Sequence, residues 1–452
     1  MKLSNYTSEF KRNLTLAYPV MLGQLGHVLV GLADNLMVGK LGAAPLASVS
    51  LANGLMFIFL SLGIGYSFSI TTLVAEADGE KDIAKGRNIF KHGVFVTIIL
   101  GFIVCALLLI SQPIMYYMQQ PVEVVELAKP YYAVIAYSMI PLMIFQGLKQ
   151  FADGLSLTKY AMQATLLANV INVFFNYVLI YGKFGFPELG VVGSGIGTLI
   201  SRFMMVAFMI YMIKTRKEFS EYIKGFSLRG IQKKVLKKIY DLGIPTALQM
   251  WFEVSLFASG IFLAGSIGTN TQAANQIALN LSSMTFMIAI GLGVTATVRV
   301  GNQKGLKNFV ELRRIALSIF LLMILIDIVF AVLFIAFKGI LPTFYVENLE
   351  VIETAKILIV ISGFFQLSDG IQVVVLGALR GIQDVKIPMQ ITFIAYWIIG
   401  FPICYFLSIY TNLKGIGIWI GLLISLTASA VMLYIRFHKL TKKLIYNTNG
   451  VA

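Results

Sequence analysis

The sequence predicts an all-α integral membrane protein with twelve transmembrane helices, arranged as two similar bundles of six. Three observations predict this fold class: the composition, the long intervals without charge, and the recurrence of one half of the sequence in the other. Of the 452 residues, 58% are apolar and only 13% are charged, whereas soluble domains carry about 25% charged residues. A soluble fold with this composition would have too few polar residues to cover its surface.

The intervals without charge locate the helices. No charged residue occurs between Glu253 and Arg299, an interval of 45 residues. A single helix of that length would extend about 68 Å, roughly twice the thickness of the hydrocarbon core. We therefore expect two helices, joined at the turn-like sequence between Gly265 and Asn270. The same reasoning predicts helices at 14–38, 46–72, 92–116, 130–152, 160–182, 190–213, 240–264, 275–298, 315–337, 356–378, 388–410 and 415–436.

The positive residues predict the orientation in the membrane. Twelve spans place both termini on one side, and the tails and loops of one side hold 29 of the 36 Lys and Arg residues. The opposite loops hold six, and Arg202 lies inside the sixth predicted helix. Because cytoplasmic loops carry the excess of positive residues, we expect a bacterial-type inner (plasma) membrane protein with both termini in the cytoplasm. The net charge of +15 then reflects loops that face anionic lipid, and no nucleic-acid partner is expected.

The two halves of the chain resemble each other. Around a basic segment at 214–238, four residues of the first half recur 226 positions later: Pro19, Gly65, Gly79 and Lys81 as Pro245, Gly291, Gly305 and Lys307. We predict an N-lobe of six helices at 1–213, a cytoplasmic linker at 214–239 and a C-lobe of six helices at 240–452. Repeats in parallel orientation, with a site between them near the middle of the bilayer, are typical of secondary transporters.

The sequence contains no recognisable motif for ATP hydrolysis or metal catalysis. It has no G-x-x-x-x-G-K-[ST] loop, and its three histidines form neither an H-E-x-x-H motif nor a Cys/His cluster. We therefore expect a transporter driven by an ion gradient, which is not an enzyme and needs no cofactor. Such a protein requires ionisable groups inside the membrane.

Four acids and one arginine lie well inside the predicted helices. They are Asp34 in helix 1, Arg202 in helix 6, Glu253 in helix 7, Asp327 in helix 9 and Asp369 in helix 10. A carboxylate at the middle of the bilayer costs about 2.5–3.5 kcal/mol, so it needs a partner or a function. One arginine leaves at least three of the four acids without a basic partner. Asp34, Glu253 and Asp369 are therefore candidate coupling groups, whereas Asp327 is open to either a functional or a structural role.

Polar side chains accompany two of these acids. Gln366, Asp369 and Gln372 share one face of helix 10, and Gln249 shares a face of helix 7 with Glu253. Clusters of oxygen atoms with a carboxylate suit a hard monovalent cation, or a carboxyl group that exchanges protons.

Helix 5 carries a polar face as well, formed by Asn169, Asn172 and Asn176. For asparagines alone, hydrogen bonding between helices is the simpler interpretation. Aromatic residues near the acids are candidates for a substrate cavity that accepts flat cations through cation–π contacts. They are Trp251, Phe252, Phe364 and Phe365.

The sequence resembles the multidrug and toxic compound extrusion (MATE) transporters along essentially its whole length, and most closely their NorM branch. The resemblance rests on Ala17-Tyr-Pro19, Gly31-Leu-Ala-Asp34, Met37-Val-Gly39, Trp251-Phe-Glu253, Leu367-Ser-Asp369-Gly-Ile-Gln372 and Gly377-Ala-Leu-Arg380-Gly381, together with the duplication. It implies two six-helix lobes around a V-shaped central cleft. It also implies the export of cationic, amphipathic drugs and dyes in exchange for Na⁺ or H⁺, and we expect the protein to act as a monomer in the lipid bilayer.

The resemblance also assigns residues to sites. The cation site of the C-lobe falls on Glu253 and Asp369, and Na⁺ is expected there or at the N-lobe acid. The N-lobe site falls on Asp34, Asn172, Asn176 and Thr198. One departure concerns Phe365, because NorM-type proteins carry a Tyr at this position, one turn before the acid of helix 10. The aromatic hydroxyl is therefore missing from helix 10 of this chain.

Two other classes of function remain as alternatives. A flippase for lipid-linked saccharides shares the design of two lobes, but it needs several basic residues in its cavity to hold pyrophosphate. A membrane enzyme or channel needs an acidic or His-rich cluster at a membrane face. The acidic loop group at 76–82 is mixed with basic residues and is interpreted as solvated.

Overall fold

The computed structural model of the protein describes residues 4–118 and 120–449. Within those residues it contains helices and no strands, and twelve helices are long and apolar enough to cross a membrane, which confirms the predicted fold class and helix number. The spanning helices are α1 Phe10–Gly39, α2 Ala43–Gly79, α3 Ile83–Ser111, α4 Val122–Gly154, α5 Thr158–Ile180, α6 Gly190–Thr215, α7 Lys233–Ile267, α8 Thr269–Gly305, α9 Phe309–Phe337, α10 Leu349–Ile382, α11 Lys386–Ile409 and α12 Gly415–Asn449.

Several helices extend further than the hydropathy predicts. The α2 helix ends at Gly79 instead of residue 72, and α3 begins at Ile83 instead of residue 92. These predicted limits were wrong because hydropathy marks the hydrocarbon core, whereas helices continue into the polar interface where side chains cap them. The carboxylate of Asp82, for example, accepts the N–H of Lys85 at 2.8 Å and caps α3. At its other end α3 stops at Ser111 instead of residue 116, because Pro113 interrupts the helical hydrogen bonds.

The duplication is visible in the backbone. Lys81 and Lys307, which are 226 residues apart, both adopt a φ of 57°, in the left-handed region that non-glycine residues rarely occupy. The next residue in each half caps the following helix with its side chain, Asp82 in one and Asn308 in the other. Both halves therefore turn from the second to the third helix of the repeat in the same way.

The described chain separates into two compact units. The N-terminal unit is Leu22–Ala247, and the C-terminal unit combines the chain up to Met21 with the chain from Leu248 onwards. The division thus lies inside α1 and α7, whereas the sequence analysis divided the lobes at the cytoplasmic linker.

The linker itself is tied to the N-terminal unit. Arg87 on α3 donates to the carbonyl oxygen of Glu221 at 2.7 Å. The buried ring of His92 bonds at both nitrogens, to the carbonyl oxygen of Asn88 and to the N–H of Gln232, each at 2.7 Å. Phe219, in the short linker helix Lys217–Ile223, is fully buried. The basic segment is therefore an ordered part of the N-terminal unit.

The core of the C-terminal unit holds α10 firmly in place. Gly377 of α10 lies directly against the backbone of Gly293 of α8, where a Cβ would collide, and the hydroxyl of Thr297 donates to the carbonyl oxygen of Gly377 at 3.0 Å. Small residues allow membrane helices to approach this closely. A second apolar cluster around Trp419 and Phe365 packs the opposite half of α10. The acid on α10 therefore projects from a rigid helix.

Candidate cation and substrate site

The N-terminal unit contains a chain of hydrogen-bonded side chains that ends at Asp34. The amide of Asn176 on α5 donates to the carboxylate of Asp34 on α1 at 2.6 Å, and also to the amide oxygen of Asn172 at 3.1 Å. Asn172 in turn donates to the hydroxyl of Thr198 on α6 at 3.2 Å. The structure thus brings together the four residues that the resemblance assigns to this site, which we call the Asp34 cluster.

A glycine makes room for this cluster. The amide oxygen of Asn176 is buried, has no hydrogen-bond partner, and lies where a Cβ at Gly197 of α6 would be. Glycine at this position allows Asn176 to point its amide nitrogen at Asp34. The free oxygen beside a carboxylate is a further ligand that a cation can use.

The Asp34 cluster also includes a basic residue. The charges of Arg202 on α6 and Asp34 act on each other, and the guanidinium of Arg202 donates to the hydroxyl of Ser138 on α4 at 2.5 Å. The hydroxyl of Tyr131 donates to Asn53 at 3.2 Å. In the Asp34 cluster one acid is therefore accompanied by one base and by a direct amide donor.

The C-terminal unit contains a second cluster with a different balance of charge. The charge of Glu253 on α7 acts on Arg380, and Asp369 on α10 is affected by both Glu253 and Asp327. Asp369 is 5% exposed and Asp327 on α9 is 1% exposed. Three acids are thus linked through Asp369, and one arginine, Arg380, acts on Glu253. We call this group with its polar neighbours the Asp369 cluster. If all three acids are ionised, the cluster carries excess negative charge.

Many polar atoms of the Asp369 cluster lack partners. One carboxylate oxygen each of Glu253, Asp327 and Asp369 is buried without a hydrogen bond, as are the amide oxygens of Gln366 and Gln372. Buried acceptors without donors are rare in proteins and costly. Oxygen atoms are also the ligands that hard cations prefer. The arrangement is therefore suited to hold a monovalent cation.

The carboxylates alone do not form a complete metal site. Within residues 4–118 and 120–449, no group of three or more His, Cys, Asp or Glu side chains is placed to hold a metal ion. A cation in the Asp369 cluster would therefore need neutral oxygen ligands in addition to the carboxylates.

Two of the predicted glutamines support other residues. Gln249 donates to the carbonyl oxygen of Val385 at 2.9 Å and accepts from the guanidinium of Arg380 at 3.4 Å. Gln366 donates to the carbonyl oxygen of Asp327 at 3.3 Å. Gln249 thus joins Arg380 to the segment that precedes α11, and Gln366 joins α9 to α10.

The four aromatic residues predicted for the substrate cavity lie in different surroundings. Trp251 and Phe252 are half-buried neighbours, with ring centroids 5.9 Å apart, and Phe364 is 52% exposed. Phe365 is 2% exposed and packs edge-on against Trp419, with centroids 5.3 Å apart. Phe365 is therefore part of the aromatic core of the C-terminal unit.

The sequence analysis counted too few basic residues inside the helices. Arg202 was the only one, but α8 and α10 extend far enough to include Arg299 and Arg380. The predicted end of helix 10 at residue 378 excluded Arg380. A helical projection contains the missing signal, because Arg380 follows Asp369 by eleven residues, about three turns, and so lies on the same face.

Known proteins resemble this chain in sequence along nearly its whole length. The MatE family model matches this chain twice, at residues 19–178 and 245–406. The chain is 33% identical over 445 residues to the probable multidrug resistance protein NorM of Rhizobium meliloti, covering 97% of this chain and 95% of that protein. It is 31% identical to the multidrug resistance protein NorM of Photobacterium profundum, covering 96% of each.

Solved structures share the fold at lower identity. The eukaryotic MATE transporter AtDTX14 superimposes with a TM-score of 0.87 at 19% identity, covering 97% of this chain and 99% of that one. An outward-facing multidrug resistance MATE family transporter gives a TM-score of 0.86 at 21% identity, with 96% of each chain covered. Together with the two matches of the family model, the NorM relatives establish the conclusion that the sequence motifs indicated: this chain is a multi-pass membrane protein of the MatE family.

Proposed function

We propose that this protein is a secondary active antiporter that exports cationic, amphipathic compounds in exchange for Na⁺ or H⁺. The single observation that carries the proposal is the surplus of acids in the Asp369 cluster. Asp369 lies near Glu253 and Asp327, Arg380 acts on Glu253, and each acid has a buried oxygen without a hydrogen bond. The names of the NorM relatives, which are multidrug resistance proteins, support the same proposal.

Exchange follows from the cost of burying negative charge. A carboxylate inside a membrane protein is stabilised by a nearby positive charge, which either an ion or a cationic substrate can supply. If both neutralise the same acids, binding of one weakens binding of the other, and this reciprocal coupling is the basis of antiport. Asp369 is the residue that we expect both ligands to share.

The substrate class follows from the neighbours of the acids. Trp251 lies two residues and Phe252 one residue before Glu253 on α7, and both are half-buried. Aromatic faces beside a carboxylate favour a ligand that is both apolar and positively charged. Small cationic drugs and dyes have this chemistry.

The remaining features of the proposal rest on the sequence. We expect a monomer in a bacterial inner membrane, with both termini in the cytoplasm because the positive residues lie on that side. We expect no catalytic activity and no cofactor, and Na⁺ or H⁺ is a transported ion. If Na⁺ is the ion, Glu253 and Asp369, or Asp34 with Asn172 and Asn176, would bind it.

The flippase alternative is less consistent with the charges. A pyrophosphate site needs basic residues that are not neutralised by acids. Three arginines of α6, α8 and α10 are each affected by the charge of an acid: Arg202 by Asp34, Arg299 by Glu9 and Arg380 by Glu253. This arrangement favours a site for cations.

The proposal is tested by dye efflux from liposomes that contain the purified protein. Na⁺ and pH gradients are imposed separately, and ethidium is the transported probe. We expect one or both gradients to drive efflux by the wild type and by Glu347→Gln, which removes an exposed carboxylate. Asp369→Asn should reduce the efflux driven by either gradient at least about tenfold. Efflux by the wild type that is independent of both gradients would contradict antiport.

A further inference from the structure

A cavity opens at one corner of the C-terminal unit, where α8 and α10 end and α9 begins. Its volume is about 290 Å³, close to the lower limit of about 300 Å³ for small-molecule sites. Much of its wall is apolar and is formed by Phe309 of α9 and by Leu440 and Leu444 of α12. These helix ends lie on the side of the membrane that we expect to be cytoplasmic, because the loops there carry the excess of Lys and Arg. We call this cavity the C-terminal corner.

Three side chains with N–H donors line the C-terminal corner. Lys304 of α8 and Arg436 of α12 are basic, and Gln383 directly follows the last residue of α10. Asp384 lines the corner as well, but it accepts from Nε of Arg436 at 2.7 Å, so the charges of this pair balance. A guanidinium has five N–H donors, and the pair leaves some of them for a ligand. With Lys304, the residues that line the corner carry one excess positive charge.

Gln383 has an uncommon backbone conformation and a buried donor. Its φ is 70°, in the left-handed region, where helices usually end in glycine. Its backbone N–H donates to the carbonyl oxygen of Arg380 at 2.7 Å and closes α10. Its side-chain Nε2, however, is buried and has no hydrogen-bond partner in the described part of the chain. An unsatisfied buried donor is costly, and an acceptor bound in the corner would satisfy it.

The duplication shows how the same corner is built in the N-terminal unit. Ser156, 227 residues before Gln383, follows the end of α4 with a φ of 63° and donates its N–H to the carbonyl oxygen of Asp153 at 2.9 Å. At the end of α2, Asp78 occupies the position that corresponds to Lys304, 226 residues later. The two units therefore build this corner with a similar backbone and with opposite charge at the end of the second helix.

Side chains of the linker fill the corner of the N-terminal unit. Phe219, in the short linker helix, is fully buried, and its ring centroid lies 6.1 Å from that of Phe151 on α4. Tyr222 packs edge-on against Phe151, with centroids 5.6 Å apart, and lies where a Cβ at Gly86 would collide. In the C-terminal unit α12 instead continues as one helix to Asn449, so no short helix of the described chain folds back there. The C-terminal corner is thus the open counterpart of a filled one.

We propose that the C-terminal corner binds the headgroup of an anionic phospholipid. Lys304, Arg436 and the amide of Gln383 hold the phosphate group, and the glycerol and the adjoining acyl chains contact the apolar wall at Phe309 and Leu440. Basic pockets between membrane helices on the cytoplasmic side suit such headgroups. A lipid fits the corner better than a soluble anion does, because burial of apolar surface adds to its binding. The inference is independent of the proposed antiport, since it concerns neither the transported ion nor the drug.

The test is a titration of the purified full-length protein, in a neutral detergent, with dioleoylphosphatidylglycerol. The melting temperature is the readout, because a ligand that binds only the folded state raises it. We expect this lipid to stabilise the wild type, and dioleoylphosphatidylcholine, which has the same acyl chains and no net charge, to have little effect. Lys304→Gln removes the excess positive charge and should raise the half-maximal lipid concentration about tenfold, as for the loss of one hydrogen bond to a charged group.

Two further variants separate lipid binding from folding. Gln383→Gly removes the buried donor and suits the left-handed backbone. It should therefore keep the melting temperature of the wild type without lipid, yet need about tenfold more lipid for the same effect. It is also the second variant if Lys304→Gln does not fold. Lys307→Gln, which removes an exposed charge of the next turn, is the matched control and should respond as the wild type does.

Three outcomes would overturn the proposal. The first is an equal half-maximal concentration in the wild type, Lys304→Gln and Gln383→Gly. The second is equal stabilisation by phosphatidylcholine, which would show a response to lipid in general. The third is equal stabilisation by glycerol 3-phosphate, which would assign the corner to a soluble anion instead of a lipid.

Discussion

The two acid clusters differ in how well their charges are satisfied. In the Asp34 cluster one acid receives a 2.6 Å hydrogen bond from Asn176 and has Arg202 as its basic neighbour. In the Asp369 cluster Arg380 acts on Glu253 alone among three acids, and five side-chain oxygens of acids and glutamines are buried without partners. The difference indicates that the C-terminal unit has the greater need for an added cation, whereas the Asp34 cluster is nearly neutral on its own.

The duplication is seen in the backbone of the two halves but not in the charged residues of the two clusters. The turns at Lys81 and Lys307 have the same φ of 57°. The offset of 226, however, pairs Glu253 with His27, and Asp369 corresponds to an apolar position of α4, near Leu142. Similar folding of the two halves therefore supports different chemistry in each.

The largest expected effect comes from neutralising one acid in each cluster. Asp369→Asn should lose gradient-driven efflux by at least about tenfold, because it removes charge from the cluster that needs the cation. Asp34→Asn should retain a larger share of the rate, since Asn176 and Arg202 already stabilise that acid. Ethidium efflux from liposomes, normalised to inserted protein, measures both. Greater loss in Asp34→Asn would reverse the comparison.

Two glycines, one beside each acid cluster, allow the packing of a cluster to be changed while its charges stay the same. A Cβ at Gly197 would collide with the amide oxygen of Asn176, and a Cβ at Gly370 would collide with the carboxylate of Asp327. We expect Gly197→Ala and Gly370→Ala each to lower the efflux rate a few-fold, roughly the effect of 1 kcal/mol. Na⁺ affinity should fall in Gly370→Ala alone.

The control for this pair is Gly339→Ala, because nothing lies within 4 Å of a Cβ at that position. Its efflux and Na⁺ binding should match those of the wild type. Equal loss of Na⁺ affinity in both test variants would show that the Asp34 cluster binds the ion as well.

A smaller effect, on stability alone, is expected at the start of α1. Glu9 pairs with Arg299 at 2.7 Å and with Arg314 at 3.0 Å, and Asn13 bonds to the guanidinium of Arg299 as well. Burial opposes the ionisation of Glu9, but the hydrogen bond and charge of Arg299, with Arg314 and Arg12, outweigh it and hold the pKa below its ordinary value of 4.5.

A carboxyl group whose pKa is lowered by folding stabilises the protein at pH values above its ordinary pKa, and this contribution is lost as the pH falls through the lowered pKa. Glu9→Gln should therefore lower the melting temperature at pH 7 by the equivalent of about 3 kcal/mol. The difference from the wild type should disappear in acid, below pH 4.5. A difference that stays constant down to low pH would show that the ion pair does not supply this stability.

The sequence predicts the fold more completely than the site. Twelve helices follow from hydropathy, because every span must be apolar enough to cross the bilayer. The contact between Asp34 and Asn176 depends on tertiary packing, and only the resemblance indicated it. Arg380 was missed because it lies beyond the hydrophobic part of α10, in the helical extension that hydropathy does not detect.

Tyr396 shows a different limit. A regular helical projection of α11 assumes 3.6 residues per turn, and the π-helix at Ile394–Gly400 breaks that period. The side chains of Tyr396 and of the residues beyond Gly400 therefore lie on faces that no single projection relates. The structure was needed to show this change of period in α11.

The central claim is that cation and substrate compete for the acids of the Asp369 cluster. The most direct measurement is equilibrium binding of tetraphenylphosphonium, a lipophilic cation, at increasing Na⁺ concentration. We expect Na⁺ to weaken its binding in the wild type and in Asp34→Asn, and to have no effect in Asp369→Asn, which should also bind the cation less tightly. A neutral compound of the same shape should bind weakly in all three. Binding of the lipophilic cation that is independent of Na⁺ and pH in the wild type, or equal binding of the neutral compound, would contradict the account.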